Sequence, residues 1–432
     1  MTMADPGIAP PADIAYARER DAKDPLGEFR SRFYLDAAKI YLDGNSLGLL
    51  SRDAESSLKR VIEEWKKLAI GGWMHAQRPW FSMAEELAGQ FAPLLGAAAD
   101  EVILHASTTV NIHALIATFY QPKGKRRKIL IEEGAFPSDR YALHGQLAMW
   151  GKDEQKNLIE ISHSPPAFLD EANIIAAMED DVALVFLPSV LYRSGQLLDL
   201  ARLSRAAAER QITIGFDCSH SLGAIPHAFT QWQVDFACWS TYKYCNSGPG
   251  GVAGMYINRR HSARKPALPG WFGVAKDRQF DMAANFVPAD GAAAWQMGTP
   301  HILSLAPLEG ALALINAAGI EAIRKKSLAL TDYLIRLSQS QLSAHGFSIA
   351  TPTQPARRGG HVALVHPRAI QINAALKAEG VVADYRPPNI IRIAPVALYN
   401  TFTDVRTAVM TLQRIVAEKK YLDFPAQRGV VA

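Results

Sequence analysis

The chain has 432 residues, of which 49% are apolar and 20% charged, an ordinary globular composition that predicts a compact soluble protein with a large core and room for a second domain. A net charge of +4 is too weak for a broad basic field, and the run KGKRRK at 123–128 reads as a solvated loop entering a strand, which argues against nucleic-acid binding. Cys218, Cys238 and Cys245 have neither zinc spacing nor a disulfide framework, which fits a reducing cytoplasm without a metal site, and no signal-like start or apolar run of about 18 residues supports export or membrane insertion.

In chain order, the Pro/Ala-rich start reads as a mobile arm. From about residue 100 short β-branched runs (EVILHAS, KILIEE, LIEISH, VALVFLPS, ITIGFD, DFACWS, VAGMYI) alternate with helical patterns such as DLARLSRAAAER at 199–210. That alternation predicts βαβ units around a mostly parallel sheet, with functional residues at strand C-termini. After Gly298, Thr299 and Pro300 a helical stretch over 303–341 carries Leu305, Leu308, Leu312 and Ile315 at helical spacing, with Gly319 as a break. FSIATP, HVALVHP, a helix over 369–379, GVVADY, IIRIAP and a last amphipathic helix ending near Lys420 then predict a smaller α/β domain. The division expected is an N-terminal arm with part of the small domain over 1–60, a large domain over 61–302, and an interdomain helix with the small domain over 303–432.

The chemistry-bearing residues fall at the expected strand ends. Asp217 closes ITIGFD ahead of Cys218, Ser219 and His220, and Lys243 lies between Tyr242 and Tyr244 at the end of the next apolar run, before the turn NSGPGG. On one crevice of a parallel sheet, Asp217 could hold a protonated heterocyclic nitrogen and Lys243 could bond a carbonyl carbon. Desolvation by Tyr242, Tyr244 and Trp239 would lower the lysine's proton affinity, as a nucleophile at neutral pH needs. The competing readings are a turn-capping Asp and a surface Lys beside a hairpin. A Walker-type loop is excluded, because the Lys precedes the glycines. Upstream, Ser107, Thr108 and Thr109 stand between a strand and an apolar helix, either as a phosphate cradle or as a plain helix cap. Phe136 and Asp139 in FPSDRYAL follow another strand; the aromatic either stacks on a ring or packs in the core.

The ordered set YLDGNSLG (41–48), QRPW (77–80), STTVNIH (107–113), FPSDRYAL (136–143), FDCSHSLG (216–223), DFACWSTYKYCNSGPGG (235–251), KPALPGWFG (265–273) and RIAPVALYN (392–400) spans nearly the whole chain. It resembles the fold-type-I pyridoxal-phosphate enzymes and, among them, the kynureninase family in its bacterial form. The resemblance implies an aspartate aminotransferase-like large domain, pyridoxal 5′-phosphate as cofactor, hydrolysis of kynurenine, and a homodimer with its site at the subunit interface. It implies that Lys243 bonds the cofactor, that Tyr242 contacts phosphate and relays a proton, and that Asp217 partners the ring nitrogen. It further implies phosphate contacts from Thr108, Thr109, Trp271 and Thr299, the last from the partner subunit, and a ring stacked on Phe136 with Asp139 and His220 nearby. Arg392 matches the clamp for the substrate α-carboxylate, which a planar fork suits. Trp73 and Gly298-Thr299 replace the His and Ser-Asn of animal-type members at the aryl end of the substrate, a set that favours kynurenine over its 3-hydroxy form. Ser189 has no clear match.

Three rival enzymes and one silent scaffold compete. A cysteine desulfurase would need a cysteine on a mobile loop and commonly has a His before its lysine, where this chain has Tyr242. A class V aminotransferase would share the fold. A dinucleotide-dependent dehydrogenase would need a GxGxxG that is absent. A non-catalytic ligand-binding scaffold would have no need of Lys243, Asp217 and Arg392 together.

Overall fold

A computed structural model describes residues 12–163 and 168–427; of the Pro/Ala-rich start expected as a mobile arm, residues 1–11 lie outside the described residues. Seven strands form the main sheet: Val102–Leu104 (β1), Lys128–Glu132 (β2), Leu158–Ile161 (β3), Val182–Pro188 (β4), Thr213–Asp217 (β5), Phe236–Trp239 (β6) and Gly254–Ile257 (β7), in the spatial order β1-β7-β6-β5-β4-β2-β3. All neighbouring pairs are parallel except those made by β7, which runs antiparallel to β1 and β6. The central strands read as continuous apolar runs because they are covered on both faces; every side chain of β6 and β7 is buried. Helix Leu200–Glu209 carries the chain from β4 to its parallel neighbour β5, capped by the Asp199 carboxylate on the Arg202 N–H.

Register places the chemistry. Pro188 pairs with Asp217 and Asp217 with Cys238, so β4, β5 and β6 end together at one edge. The reversal between β6 and β7 extends the chain beyond that edge before it returns, and Lys243 sits on this excursion. Strand pairing ends at Trp239, so the lysine lies four residues past the strand and not on its last position.

The second unit is a four-stranded antiparallel sheet in the order β10-β11-β9-β8, built from Ser348–Ile349 (β8), Val362–Val365 (β9), Asp384–Arg386 (β10) and Ile390–Ile393 (β11). Helices Ile14–Ala22, Ile320–Leu342, Ala369–Ala378 and Phe402–Ala417 cover it. N-terminal Ile40–Tyr41 pairs with Val381–Val382, which ties the start of the chain to this unit. The helical stretch breaks at Gly319 (φ +76°) into Ile302–Ala318 and Ile320–Leu342, bent by 80°. Helix Ile302–Ala318 packs on Arg52–Leu68, and its inner face joins the core of the main sheet. The second core begins farther on, with Leu330 and Leu334, so the change of core falls inside the helix Ile320–Leu342. Among the described residues no single helix is long and apolar enough to cross a membrane.

Candidate active site

One cavity at the C-terminal edge of the sheet is lined by Thr108, Thr109, Glu132, Phe136, Ser138, Asp139, Pro188, Val190, Tyr192, Asp217, Ser219, His220, Tyr242 and Lys243. Eight of the residues singled out from the sequence meet here: Thr108, Thr109, Phe136, Asp139, Asp217, His220, Tyr242 and Lys243.

The helix Thr108–Phe119 opens directly on the cavity. Its cap is Ser107, whose hydroxyl accepts the Val110 N–H at 3.5 Å. The capping duty therefore falls on Ser107, and Thr108 and Thr109 line the cavity at the positive end of the helix, where anions bind. Phe136 precedes the next helix, Pro137–Met149, and its ring stands edge-on to Tyr192.

The loop that carries Lys243 is held from below by YLDGNSLG. Gly48 N–H donates to the Tyr242 carbonyl at 2.7 Å, and a Cβ at Gly48 would come within 2.4 Å of the Lys243 carbonyl oxygen. Only glycine lets the two backbones approach this closely. Lys243 Nζ lies 3.1 Å from His220 Nε2 and 5.9 Å from the centre of the Phe136 ring. Burial pushes the lysine down to about 8; Asp217 and Asp139 pull it back up, and Arg392 and Arg386 push it further down. Burial drives His220 well below the ordinary histidine value, with Lys243 and Arg392 adding to the effect, so its ring is neutral. Tyr242 is raised by burial and by Asp217 and keeps its phenolic proton.

Asp217 accepts the Ser219 N–H at 2.7 Å and faces a second carboxyl. Asp139 is buried and held protonated: burial, the Asp217 charge and Glu132 all raise it, and it hydrogen-bonds to Asp217. Two carboxyls in contact cannot both ionise cheaply, and Asp139 keeps its proton. Asp139 Oδ1, His220 Nδ1 and Ser240 Oγ are buried without a hydrogen-bond partner. Such groups are rare in a finished core, and they suit a polar ring seated between Phe136 and Asp217 with an anion on Thr108 and Thr109.

Arg392 on β11 is almost wholly buried. Its Nε donates to Asp384 Oδ1 at 2.7 Å, Nη1 donates to the Tyr192 carbonyl at 2.8 Å, and Nη2 bonds Ser46 and Asp384 Oδ2. Burial works against the charge on Asp384, yet the Arg392 and Arg386 guanidiniums hold it below the usual carboxylate range. Neighbouring Asp43 is pushed up to about 6 by burial and by Asp384. Arg386 pairs with Asp384 at 2.6 Å, and its Nε is buried without a partner. Asp384, Ser46 and the Tyr192 carbonyl were not foreseen. A lone acid inside the apolar run GVVADY was the available signal, since a buried carboxylate needs a cationic partner.

Trp73, Trp271, Gly298 and Thr299 do not line the Lys243 cavity. Trp73 packs edge-on against Trp80 and touches Phe272, in a separate hollow with Val61, Trp65 and residues 300–304. Thr299 is exposed, Gly298 opens onto free space, and Trp271 stands edge-on to the exposed Phe280. Within one chain the expected aryl pocket and the outer phosphate contacts are thus not assembled. Ser189 also lies outside the cavity: its hydroxyl bonds Ser221 at 2.8 Å and the Asp217 carbonyl at 3.2 Å, behind the strand ends.

Over 419 residues the chain is 52% identical to a kynureninase from Geobacillus thermodenitrificans (strain NG80-2), which covers 97% of this chain and 98% of that protein. A kynureninase from Bacillus anthracis is 51% identical over 417 residues, covering 96% and 97%. The chain belongs to the kynureninase family. Residues 323–412 match the family model described as the kynureninase C-terminal domain, which includes Arg392 and Asp384. Two solved structures share the fold at 17% identity. A cysteine desulfurase from Thermococcus onnurineus NA1 aligns with a TM-score of 0.77 over 90% of this chain and 98% of its own. A variant of the cystine C–S lyase C-DES, with glycine covalently linked to its pyridoxal-phosphate cofactor, aligns at 0.74 over 92% and 99%. The fold is therefore that of fold-type-I pyridoxal-phosphate enzymes. Desulfurase chemistry does not follow from it, because all three cysteines of this kynureninase-family chain are buried and burial raises each thiol above its ordinary value.

Proposed function

We propose that the chain hydrolyses L-kynurenine to anthranilate and L-alanine, a step of tryptophan catabolism, with pyridoxal 5′-phosphate seated in the Lys243 cavity. The observation that carries this is a buried lysine 3.1 Å from His220 in a cavity shared with Asp217, Thr108 and Thr109, in a chain 52% identical to a kynureninase. The overall reaction breaks the Cβ–Cγ bond; the oxygen of water goes to the γ-carbon and a proton goes to the β-carbon. Bound here, the cofactor supplies an aldehyde that bonds an amine and a cationic ring that withdraws electrons from the neighbouring carbon. Asp217 would hold the proton on the ring nitrogen, while Thr108, Thr109 and the N-terminus of their helix would hold the phosphate. Lys243 Nζ, near neutrality and with the neutral His220 as acceptor, is suited to take and return the α-proton. Tyr242, still protonated, supplies a donor on the same wall. Arg392, oriented by Asp384, would bind the α-carboxylate.

The test is direct. Incubation of the cofactor-loaded protein with L-kynurenine should release anthranilate and alanine in equal amounts; alanine without anthranilate, or neither product, would remove the assignment.

The Trp73 and Thr299 surface supports a homodimer in which each chain completes its partner's site. The same region exposes Trp65, Ile70, Met74, Trp271, Phe280, Met282 and Leu303, far more apolar surface than a monomer needs to show. Sedimentation should give the mass of two chains, and a single-chain mass at working concentration would sink the idea. A cytoplasmic location accords with three thiols that form no disulfide.

An indole fills the aryl end but offers one N–H donor and no acceptor. A buried hydroxyl without a partner costs about 1–3 kcal/mol, so kcat/KM for 3-hydroxykynurenine should be roughly tenfold to a hundredfold below that for kynurenine. Joint replacement W73H and T299N should narrow the gap; equal values in the unmodified protein would show that these positions do not set the preference. R392K should raise KM for kynurenine by about tenfold to a hundredfold, the loss of one charge-assisted bond, with cofactor absorbance unchanged. An unmoved KM would transfer the clamp to Arg386.

A further inference from the structure

Segment 357–361 leaves the small unit and docks on the loop 190–197 that borders the cavity. Leu197 N–H donates to the Arg357 carbonyl at 2.9 Å, and Gly359 N–H donates to the Gly195 carbonyl at 2.8 Å. The fit is close: Gly195, at φ +74°, could not carry a Cβ without meeting the His361 carbonyl at 2.7 Å, and a Cβ at Gly360 would sit 2.9 Å from the Tyr244 hydroxyl. The segment ends on His361, which has no exposed surface. The ring meets His220 edge-on, with centroids 5.7 Å apart and planes at 60°. Neither nitrogen of His361 finds a hydrogen-bond partner of good geometry, although the Tyr192 backbone faces the ring. The contact it offers His220 is therefore made by the ring itself. Burial pushes His361 down to about 3; the charges that face it are Arg392, Asp384 and Lys243, and the imidazole is neutral.

We infer that His361 is a positioning residue, whose ring fixes the plane of His220 and thereby holds His220 Nε2 against Lys243 Nζ. The mechanical logic is simple. Among the described residues His220 makes one polar contact, the 3.1 Å approach to the lysine, and a single contact at Nε2 does not fix the plane of the ring. Edge-to-face packing does. Because His361 belongs to the segment entering β9, this contact also links the seating of the small unit to the lysine's environment.

The inference rests on the cofactor-binding reading above. Its test compares H361L, which fills the volume without a flat ring, with H361F, which restores one. The cofactor-loaded proteins are titrated with pH at the visible band of the Lys243–cofactor bond, and kcat, KM and Tm are measured beside it. H361L should move the band midpoint downward by about half a pH unit or more, since a protonated nitrogen at Lys243 loses its acceptor. It should also lower kcat by about tenfold with KM within about twofold. H361F should recover most of both. Equal behaviour of the Leu and Phe variants, or a change in Tm with the midpoint and kcat unmoved, would overturn the inference. Should H361L not fold, H361M takes its place in the same comparison. An unmodified protein that develops no band with pyridoxal phosphate would instead overturn the cofactor reading, which keeps the two failures distinct.

Discussion

Lys243→Ala should abolish the visible band and lower turnover by on the order of a thousandfold or more, because it removes both the covalent anchor and the base that takes the α-proton. The structure gives this lysine no understudy. Arg392 and Arg386 are engaged with Asp384, and an imidazole such as that of His220 cannot bond an aldehyde as an amine can. Added methylamine should restore a fraction of the rate, since the small amine can enter the space left by the side chain. The pH dependence of the unmodified protein follows from the same group. A lysine brought down to about 8 is mostly ammonium at pH 6.5 and mostly free amine at pH 9.5, so the rate of cofactor uptake by the protein freed of it should rise through about pH 8 and then level. Normal anthranilate formation by the Ala variant would show that the chemistry lies elsewhere.

Much of this site was legible because parallel strands covered on both faces leave an unbroken apolar signature, as VALVFLPS and ITIGFD do, and because their ends then mark the reactive edge. The exact end of β6 was not legible. Ser240 and Thr241 remain buried beyond Trp239, so the hydrophobic environment outlasts the hydrogen-bonded ladder, and the apolar run carried the eye as far as Lys243. The core to which a helix belongs was equally hidden. The periodicity of Leu305, Leu308 and Leu312 announces an inward face, but nothing in the spacing says that this face meets Arg52–Leu68 and the main sheet. Trp73 and Thr299 illustrate a third limit: the sequence pattern names them beside the other site residues, yet neither lines the Lys243 cavity of its own chain. His361 marks a fourth, since a histidine that acts through another histidine has no motif of its own.

Asp217→Asn should retain bound cofactor, held by Lys243 and the phosphate end, yet lose kcat by on the order of a hundredfold or more. The amide is close in shape, so Ser219 N–H keeps an acceptor, and the loss is one of charge. With Asp139 held protonated, an amide at position 217 leaves the ring nitrogen no negative partner to keep it protonated, and the electron sink weakens. Two secondary shifts give the variant a signature that poor folding would not. Asp217 pulls Lys243 upward, so its removal should move the lysine's titration below about 8. The Asp217 charge is also among the causes that raise Asp139, so that carboxyl should give up its proton more readily. Once ionised, Asp139 can partly replace the missing charge, and the activity remaining in D217N should therefore increase with pH until Asp139 has titrated. Addition of D139N should erase that recovery. A D217N protein with unchanged kcat and an unmoved lysine titration would reduce Asp217 to a cap on the turn at Ser219.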